Sequence, residues 1–502
     1  MNDYKHQPYW FNQVNETNFP HLTENIKCDA AVVGGGISGL TAAMLLCEAN
    51  FNVVLIEMNT LRNGTTAFST GHLDNYYDQE YCKLIKHYGL GAAKTVIHAK
   101  ADAVTLIESL AAKYNIECDF KRIAGYLYSE NEKDNKAIEE EHDCASKIDI
   151  STSIQTNNPL PFPKFKSLLF QNQARFSPLA YLTGLAKAFT SSGGRIFEHT
   201  TMKEFEEKND KVLITTSTST IEAGKLILAG HTSLTGKINI QPRIYPMLSF
   251  VIGVEADSKI EDALYWDTDV PYHYTRIAST QDENLLIIGG ADYHVGSKPD
   301  SRESFENLKE YANQRYKVKS IPYYWCSEYF ESADGLPYAG FVPGSENVLV
   351  LASYSGDGLT FGSASAKLVS DLVLKRENPL AAIFSPSRIK LLLSMPKLTK
   401  EIGHVIKHFV GDRIFNYEED IEKLKPEEGA LMRIKNQTCA VYKDKDGKTH
   451  VFSASCRHMG CIVQRNNNEQ SWDCPCHGGR YDSYGNVIVG PPREALKKVD
   501  IE

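Results

Sequence analysis

The chain of 502 residues contains no apolar run approaching the ~20 residues that a membrane-spanning helix requires. It has no surplus of positive charge either. Its 54 Lys and Arg stand against 63 Asp and Glu, and a net charge of −9 argues against nucleic acid as a partner, since phosphates attract cations. Internal repeats and low-complexity tracts are missing, which excludes solenoids and long disordered tails. The first 18 residues lack the basic-then-apolar pattern of a secretory signal, so a cytoplasmic protein is expected. What remains is an ordinary globular composition, 42% hydrophobic and 23% charged. The length predicts about two to four domains.

Cysteine is unevenly spread. Seven of the eleven are scattered from Cys28 to Cys439, whereas Cys456, Cys461, Cys474 and Cys476 crowd together near the C-terminus. Such a cluster in a cytoplasmic chain suggests metal rather than a secreted disulfide framework.

Residues 28–57 read as a βαβ unit: an apolar strand over 28–33, a turn over 34–39, a helix over 40–49 and a second strand over 52–57. Helices are predicted at 90–115 and 178–192, and residues 145–175, rich in Ser, Pro and Asn, read as loop. Strands follow at 196–215, 221–229, 244–255 and 272–290. A further strand at 348–353 meets a Gly-rich turn and a helix near 363–374. Residues 385–425 are basic, then acidic, and read as a helical connector. Its stretch 390–407 mixes Lys with Leu391, Leu392, Leu393, Ile402, Val405 and Ile406, and is read as a packed linker helix, with a membrane surface as the alternative. From 426 onward short strands at 430–434, 438–442 and 449–453 predict a small all-β domain.

Gly34-Gly35-Gly36-Ile37-Ser38-Gly39 fits G-x-G-x-x-G, follows a strand, opens a helix and is followed by Glu57 at the end of the next strand. Dinucleotide binding needs that context. Gly34 makes the tight turn, Gly36 admits the pyrophosphate to the backbone, Gly39 lets the helix pack closely, and a carboxylate meets the ribose. The helix N-terminus adds partial positive charge for the phosphates. The alternative is an ordinary Gly-rich turn. There is one such fingerprint, which favours FAD alone over FAD with a nicotinamide.

With the turn at 32–40, the loop from Gly64 to Gly71, Leu228-Ala229-Gly230, Asp334-Gly335-Leu336-Pro337 and Ser355-Gly356-Asp357-Gly358-Leu359-Thr360, the chain resembles the D-amino acid oxidase and glycine oxidase superfamily. The resemblance implies an α/β FAD-binding domain of Rossmann type with an inserted α+β substrate domain. The FAD segments would be about 28–75, 176–235 and 331–384, and the substrate domain about 76–175 and 236–330, after an N-terminal extension over 1–27. It implies FAD contacts from Thr65, Thr66, Gly71, Gly356, Gly358, Leu359 and Thr360 beside those of the first turn. A second helix N-terminus at that last turn would face the flavin ring, where negative charge develops on reduction. One departure matters: where amino-acid oxidases often carry an arginine for the substrate carboxylate, this chain has Tyr329 and Phe330. Arg276, His294 and Tyr354 are the candidates for polar substrate contacts in its place.

Cys456-x-His458 and Cys474-x-x-His477 resemble a Rieske [2Fe–2S] domain over 426–502, with Gly490-Pro491-Pro492 as its proline loop. The resemblance assigns Cys456 and Cys474 to one iron and His458 and His477 to the other, and pairs Cys461 with Cys476 in a disulfide. A Cys₂His₂ zinc site is the alternative, and it leaves Cys461 and Cys476 unexplained. Neutral imidazoles in place of two thiolates make such a cluster easier to reduce. High-potential relatives place a Ser where this chain has Gly479, whereas their tyrosine is kept as Tyr481. Together the parts predict an FAD-dependent dehydrogenase acting on a small amine or amino acid, with electrons passing through the cluster to a protein or quinone acceptor. The alternative is an O₂-using amine oxidase with a structural or redox-sensing Rieske module. No 2-His-1-carboxylate pattern outside the cluster supports a Rieske oxygenase.

Overall fold

The computed structural model describes residues 5–156, 159–208, 210–232, 240–279, 284–298, 300–389, 403 and 420–500. Strand β1 (Ile26–Val33) is flanked by β2 (Val53–Ile56) and by Thr220–Leu228, all parallel. These strands are near-continuous apolar runs because helices cover the sheet. The sheet continues through Val348–Ala352 to Tyr338–Phe341 on one side and to Arg195–Phe197 on the other. Helix α1 (Ile37–Glu48) starts directly at the Gly turn and packs against the Gly358–Val373 helix, which in turn packs against Leu90–Lys113. The two helices that begin at Gly-rich turns therefore lie side by side.

A second sheet of nine strands runs from Val318–Ser332 through Ile244–Ala256, Asn284–His294, His273–Ser279 and Ala263–Asp267 to Lys121–Tyr128, Ser167–Arg175 and His72–Leu73, with Thr152–Gln155 also pairing Ser167–Arg175. The expected loop over 145–175 is corrected here: it holds the end of helix Asn135–Lys147 and two strands. The Ser, Pro and Asn that suggested a loop hide a buried face of Leu168, Phe170 and Ala174. Gln173, also buried, accepts from the Asn75 amide.

The C-terminal part is all-β. Gly429–Ile434, Gln437–Lys443 and Thr449–Ser453 form one antiparallel sheet, and Gln464–Asn466, Ser471–Asp473, Arg480–Asp482 and Val487–Val489 form another. Most of the expected helical connector, including its basic stretch at 390–402 and 404–407, lies outside the described residues. In its described first residues, Arg388 makes a two-pronged ion pair to Asp334, each contact 2.8 Å. Among the described residues no helix is long and apolar enough to cross a membrane.

The N-terminal segment is built into the fold. Trp10 is fully buried, donates its indole N–H to the Ala67 carbonyl and meets Trp325 edge-on. A disulfide not expected from the sequence joins Cys82 to Cys144. Their 62-residue separation gives no local pattern to read.

Candidate active site and metal centre

The first Gly turn shows three different reasons for glycine. Gly34 has φ +112°, and a Cβ there would lie 2.5 Å from the Ala229 carbonyl oxygen. A Cβ on Gly39 would lie 2.1 Å from the Gly34 carbonyl oxygen, so Gly39 sets the close packing of helix on strand. Gly36 has an ordinary φ of −71°, and a Cβ there would meet only Thr66 Oγ1, at 3.3 Å. The fold leaves space at Gly36 facing the cavity, and that space suits a pyrophosphate. Thr66 Oγ1 accepts from the Ile37 amide at the start of α1. Glu57 closes the turn by accepting from the Gly35 and Asn59 amides at 2.8 and 2.9 Å. Burial pushes its carboxyl up, against the pull of those amides.

One cavity brings most of the expected residues together: Gly34, Gly36, Ile37, Ser38, Glu57, Thr65, Thr66, Gly356, Gly358, Leu359 and Thr360 all line it. Gly39 and Gly71 lie outside the lining. Gly71, at φ +72°, packs its backbone against the Phe176 carbonyl. The cavity joins two helix N-termini, a Gly-lined cradle and a carboxylate beyond it, a donor set that fits FAD.

The substrate candidates fare differently. Arg276 is buried and spent on backbone carbonyls, donating to Thr70, Ile277 and Phe176, so it holds loops together and does not reach the cavity. His294 also lies outside the lining, with Nδ1 on the Val295 carbonyl. Tyr354 does line the cavity, and its hydroxyl faces Ser38 of the nucleotide turn. Sequence reasoning missed Asp78, Tyr272 and Tyr274, which line the same cavity, and Asp292, which stands behind Tyr272 and Tyr329. An aspartate in a sequence carries no sign of which cavity it faces, so only topology reveals this group.

The four expected metal ligands meet as two pairs, histidine with histidine and cysteine with cysteine. The imidazoles of His458 and His477 meet edge to face, ring centres 4.9 Å apart. The Cys456 and Cys474 thiols are hydrogen-bond neighbours, which lowers Cys456 to about 7 and pushes Cys474 up. Burial lowers both histidines, with His458 adding to the effect at His477, which falls to about 4. Both rings are then neutral, the form that ligates metal. The Cys461–Cys476 disulfide ties the two ligand loops. The donor set, two soft thiols and two neutral imidazoles, fits a Rieske cluster.

The centre abuts the same cavity. A Cβ on Gly478, next to His477, would lie 2.4 Å from Glu328 Oε1, 2.5 Å from Pro246 and 2.9 Å from Phe330. Phe330 itself lines the cavity, as do Gly490, Pro491, Pro492 and Arg493 of the proline loop. His231, another lining residue, meets Phe330 edge-on and contacts both Thr65 Oγ1 and the Glu328 carbonyl.

The profile of the FAD dependent oxidoreductase family, DAO, matches residues 29–372. The chain belongs to this DAO family. The Rieske [2Fe-2S] domain profile matches residues 417–500, so this DAO protein carries a C-terminal Rieske domain, and its cofactors are FAD and a [2Fe–2S] cluster. Over its full length the chain is similar to a Bacillus subtilis protein named as a Rieske 2Fe-2S iron-sulfur protein, YhfW, 31% identical over 99% of this chain and 98% of that one. The DAO part alone is 26% identical to gamma-glutamylputrescine oxidoreductase of Escherichia coli, over 71% of this chain and 85% of the relative. In fold, it matches the crystal structure of glycine oxidase from Geobacillus kaustophilus with a TM-score of 0.62 at 18% identity, over 72% of this chain and 99% of that one. The DAO protein is an oxidoreductase of a family whose members act on C–N bonds.

Proposed function

We propose that this protein dehydrogenates a small amine and delivers the electrons, through its Rieske cluster, to an external acceptor. The amine loses two electrons and two protons to become an imine, which water splits into a carbonyl compound and the nitrogen product. Bound FAD supplies a two-electron acceptor and the cluster a one-electron carrier. The observation that carries the reading is the contact at Gly478: the loop holding His477 lies against Phe330, and Phe330 lines the flavin cavity. Amine rather than amino acid is supported by the absence of Arg276 from the lining and by the relative named for gamma-glutamylputrescine. The acceptor is a protein or quinone in this reading, and the setting is cytoplasmic; Cys461 and Cys476 are buried, which shields their disulfide from cellular thiols.

An O₂-using oxidase with a passive Rieske module is the competing reading. Steady-state turnover with a one-electron acceptor, compared with O₂, separates the two. We expect the acceptor to support at least tenfold faster turnover than O₂, and that advantage to disappear when the cluster is removed by His477→Ala. Rapid O₂ consumption with peroxide release, unchanged in that variant, would refute the relay.

A further inference from the structure

The end of the cavity between Gly356 and Tyr329 is rich in carboxylate. Lys100 is buried and lies 2.6 Å from Asp357 Oδ1 and 3.5 Å from Asp74 Oδ1, so a single ammonium serves two carboxylates. The third, Asp78, presents its carboxylate to the cavity beside Gly356, where a Cβ would lie 2.3 Å from its Oδ2. Asp357 is only 7% exposed, yet its Oδ2 has no hydrogen-bond partner. On the other side of Tyr272, Asp292 accepts from the Tyr329 hydroxyl at 2.9 Å and the Tyr272 hydroxyl at 3.4 Å, and Ser249 also hydrogen-bonds its carboxylate.

Beyond Lys100, which Asp357 and Asp74 share, this end of the described lining has no Lys or Arg against the carboxylates. The one Arg or Lys among the lining residues, Arg493, belongs to the proline loop and donates to the Lys203 carbonyl. His72 is kept neutral by burial and by Arg276, its pKa down to about 3. The remaining walls here are aromatic, with Trp266, Tyr272 and Tyr274, whose ring faces attract organic cations. Carboxylates crowded around a single ammonium repel one another, and an incoming ammonium relieves that repulsion, whereas a substrate carboxylate would add to it.

We propose that this end of the cavity selects a diammonium substrate: an amine carrying a second ammonium group and no carboxylate beside the reacting carbon. Asp78 is the specificity-determining residue that receives the second ammonium. The inference deepens the amine reading above and rests on it for the reaction, while binding selectivity is measurable apart from turnover.

The test is calorimetric binding to the FAD-loaded protein under anaerobic conditions, with flavin absorbance followed in parallel. The probes are 1,3-diaminopropane, 1,4-diaminobutane and 1,5-diaminopentane, compared with 1-aminobutane, 4-aminobutanoate and 2-aminobutanoate. At least one diamine is expected to bind tenfold or more tightly than 1-aminobutane, and neither carboxylate to bind measurably. Asp78→Asn is expected to erase the diamine preference while leaving the far-UV spectrum and the FAD content intact. Should that variant lose FAD, Asp78→Glu serves instead and is expected to shift the preference toward a shorter diamine. Diamines that bind no better than 1-aminobutane, or a preference that survives Asp78→Asn, would overturn the proposal. A diamine that binds tightly but never bleaches the flavin would leave the selectivity standing and refute amine oxidation.

Discussion

The Tyr481 hydroxyl accepts the Arg457 amide at 2.9 Å, which leaves its own proton for Cys456 Sγ at 3.3 Å. A donor to a ligand sulfur stabilises the reduced, more negative cluster. Tyr481→Phe removes one hydrogen bond of about 1 kcal/mol, or ~40 mV for a one-electron couple, so the midpoint potential should fall by that order. Redox titration followed by EPR checks this; an unchanged potential would show that the hydroxyl does not donate. Gly479, two residues away, is fixed by space, since a Cβ there would lie 2.7 Å from Pro492 Cδ. At this scale the sequence was informative wherever chemistry demands a residue type at a spacing, as with Cys456, His458, Cys474 and His477. It was silent on Asp78 and Asp292, which acquire meaning only when the 72–78 segment lines the cavity and Asp292 of the strand Asn284–His294 backs its tyrosines. Arg276 misled for the same reason: a guanidinium attracts a carboxylate reading until three carbonyls are seen to occupy it.

Among the elements, the N-terminal segment ties the others together. His6 pairs with Glu469 of the Rieske domain at 3.2 Å and stacks on Tyr324 of the nine-stranded sheet. Burial opposes the charge on Glu469, but His6 outweighs it and holds Glu469 down to about 2. Burial likewise opposes charge on His6, and Glu469 wins, raising it. The depressed carboxylate contributes stability that is full above its unfolded value near 4.5 and is lost as pH falls toward 2. The raised histidine contributes stability that is full below 6.5 and is lost as pH rises through its folded value. The clasp is therefore strongest in mild acid. His6→Gln should lower the melting temperature most at about pH 5.5 and least at about pH 8.5. Equal effects at both, in thermal melts of the FAD-loaded protein, would contradict the ion pair. The same scale separates what local pattern can and cannot reveal. The β1–α1–β2 unit is legible because both strands are buried on two faces and the turn is chemically constrained. Ser167–Arg175 is not, because its exposed face is Asn and Gln and its longest pairing, with Lys121–Tyr128, is far away in sequence.

For the molecule as a whole, the fusion of a DAO fold to a Rieske domain was readable from two motif sets, because each cofactor imposes a residue pattern. How the two halves meet was not, since no local pattern encodes the contact of Gly478 with Phe330 or the entry of Pro491 and Pro492 into the flavin cavity. That junction is the central claim, because a two-electron centre and a one-electron centre are useful together only if electrons cross between them. The most direct measurement is anaerobic rapid mixing of the fully loaded protein with a diamine, following flavin absorbance and, in freeze-quenched samples, the EPR signal of the reduced cluster. The account predicts that the cluster signal rises as the flavin bleaches, with the lag of a single transfer step and within one turnover. A flavin that stays bleached beside a cluster that remains oxidised over many turnover times would contradict it.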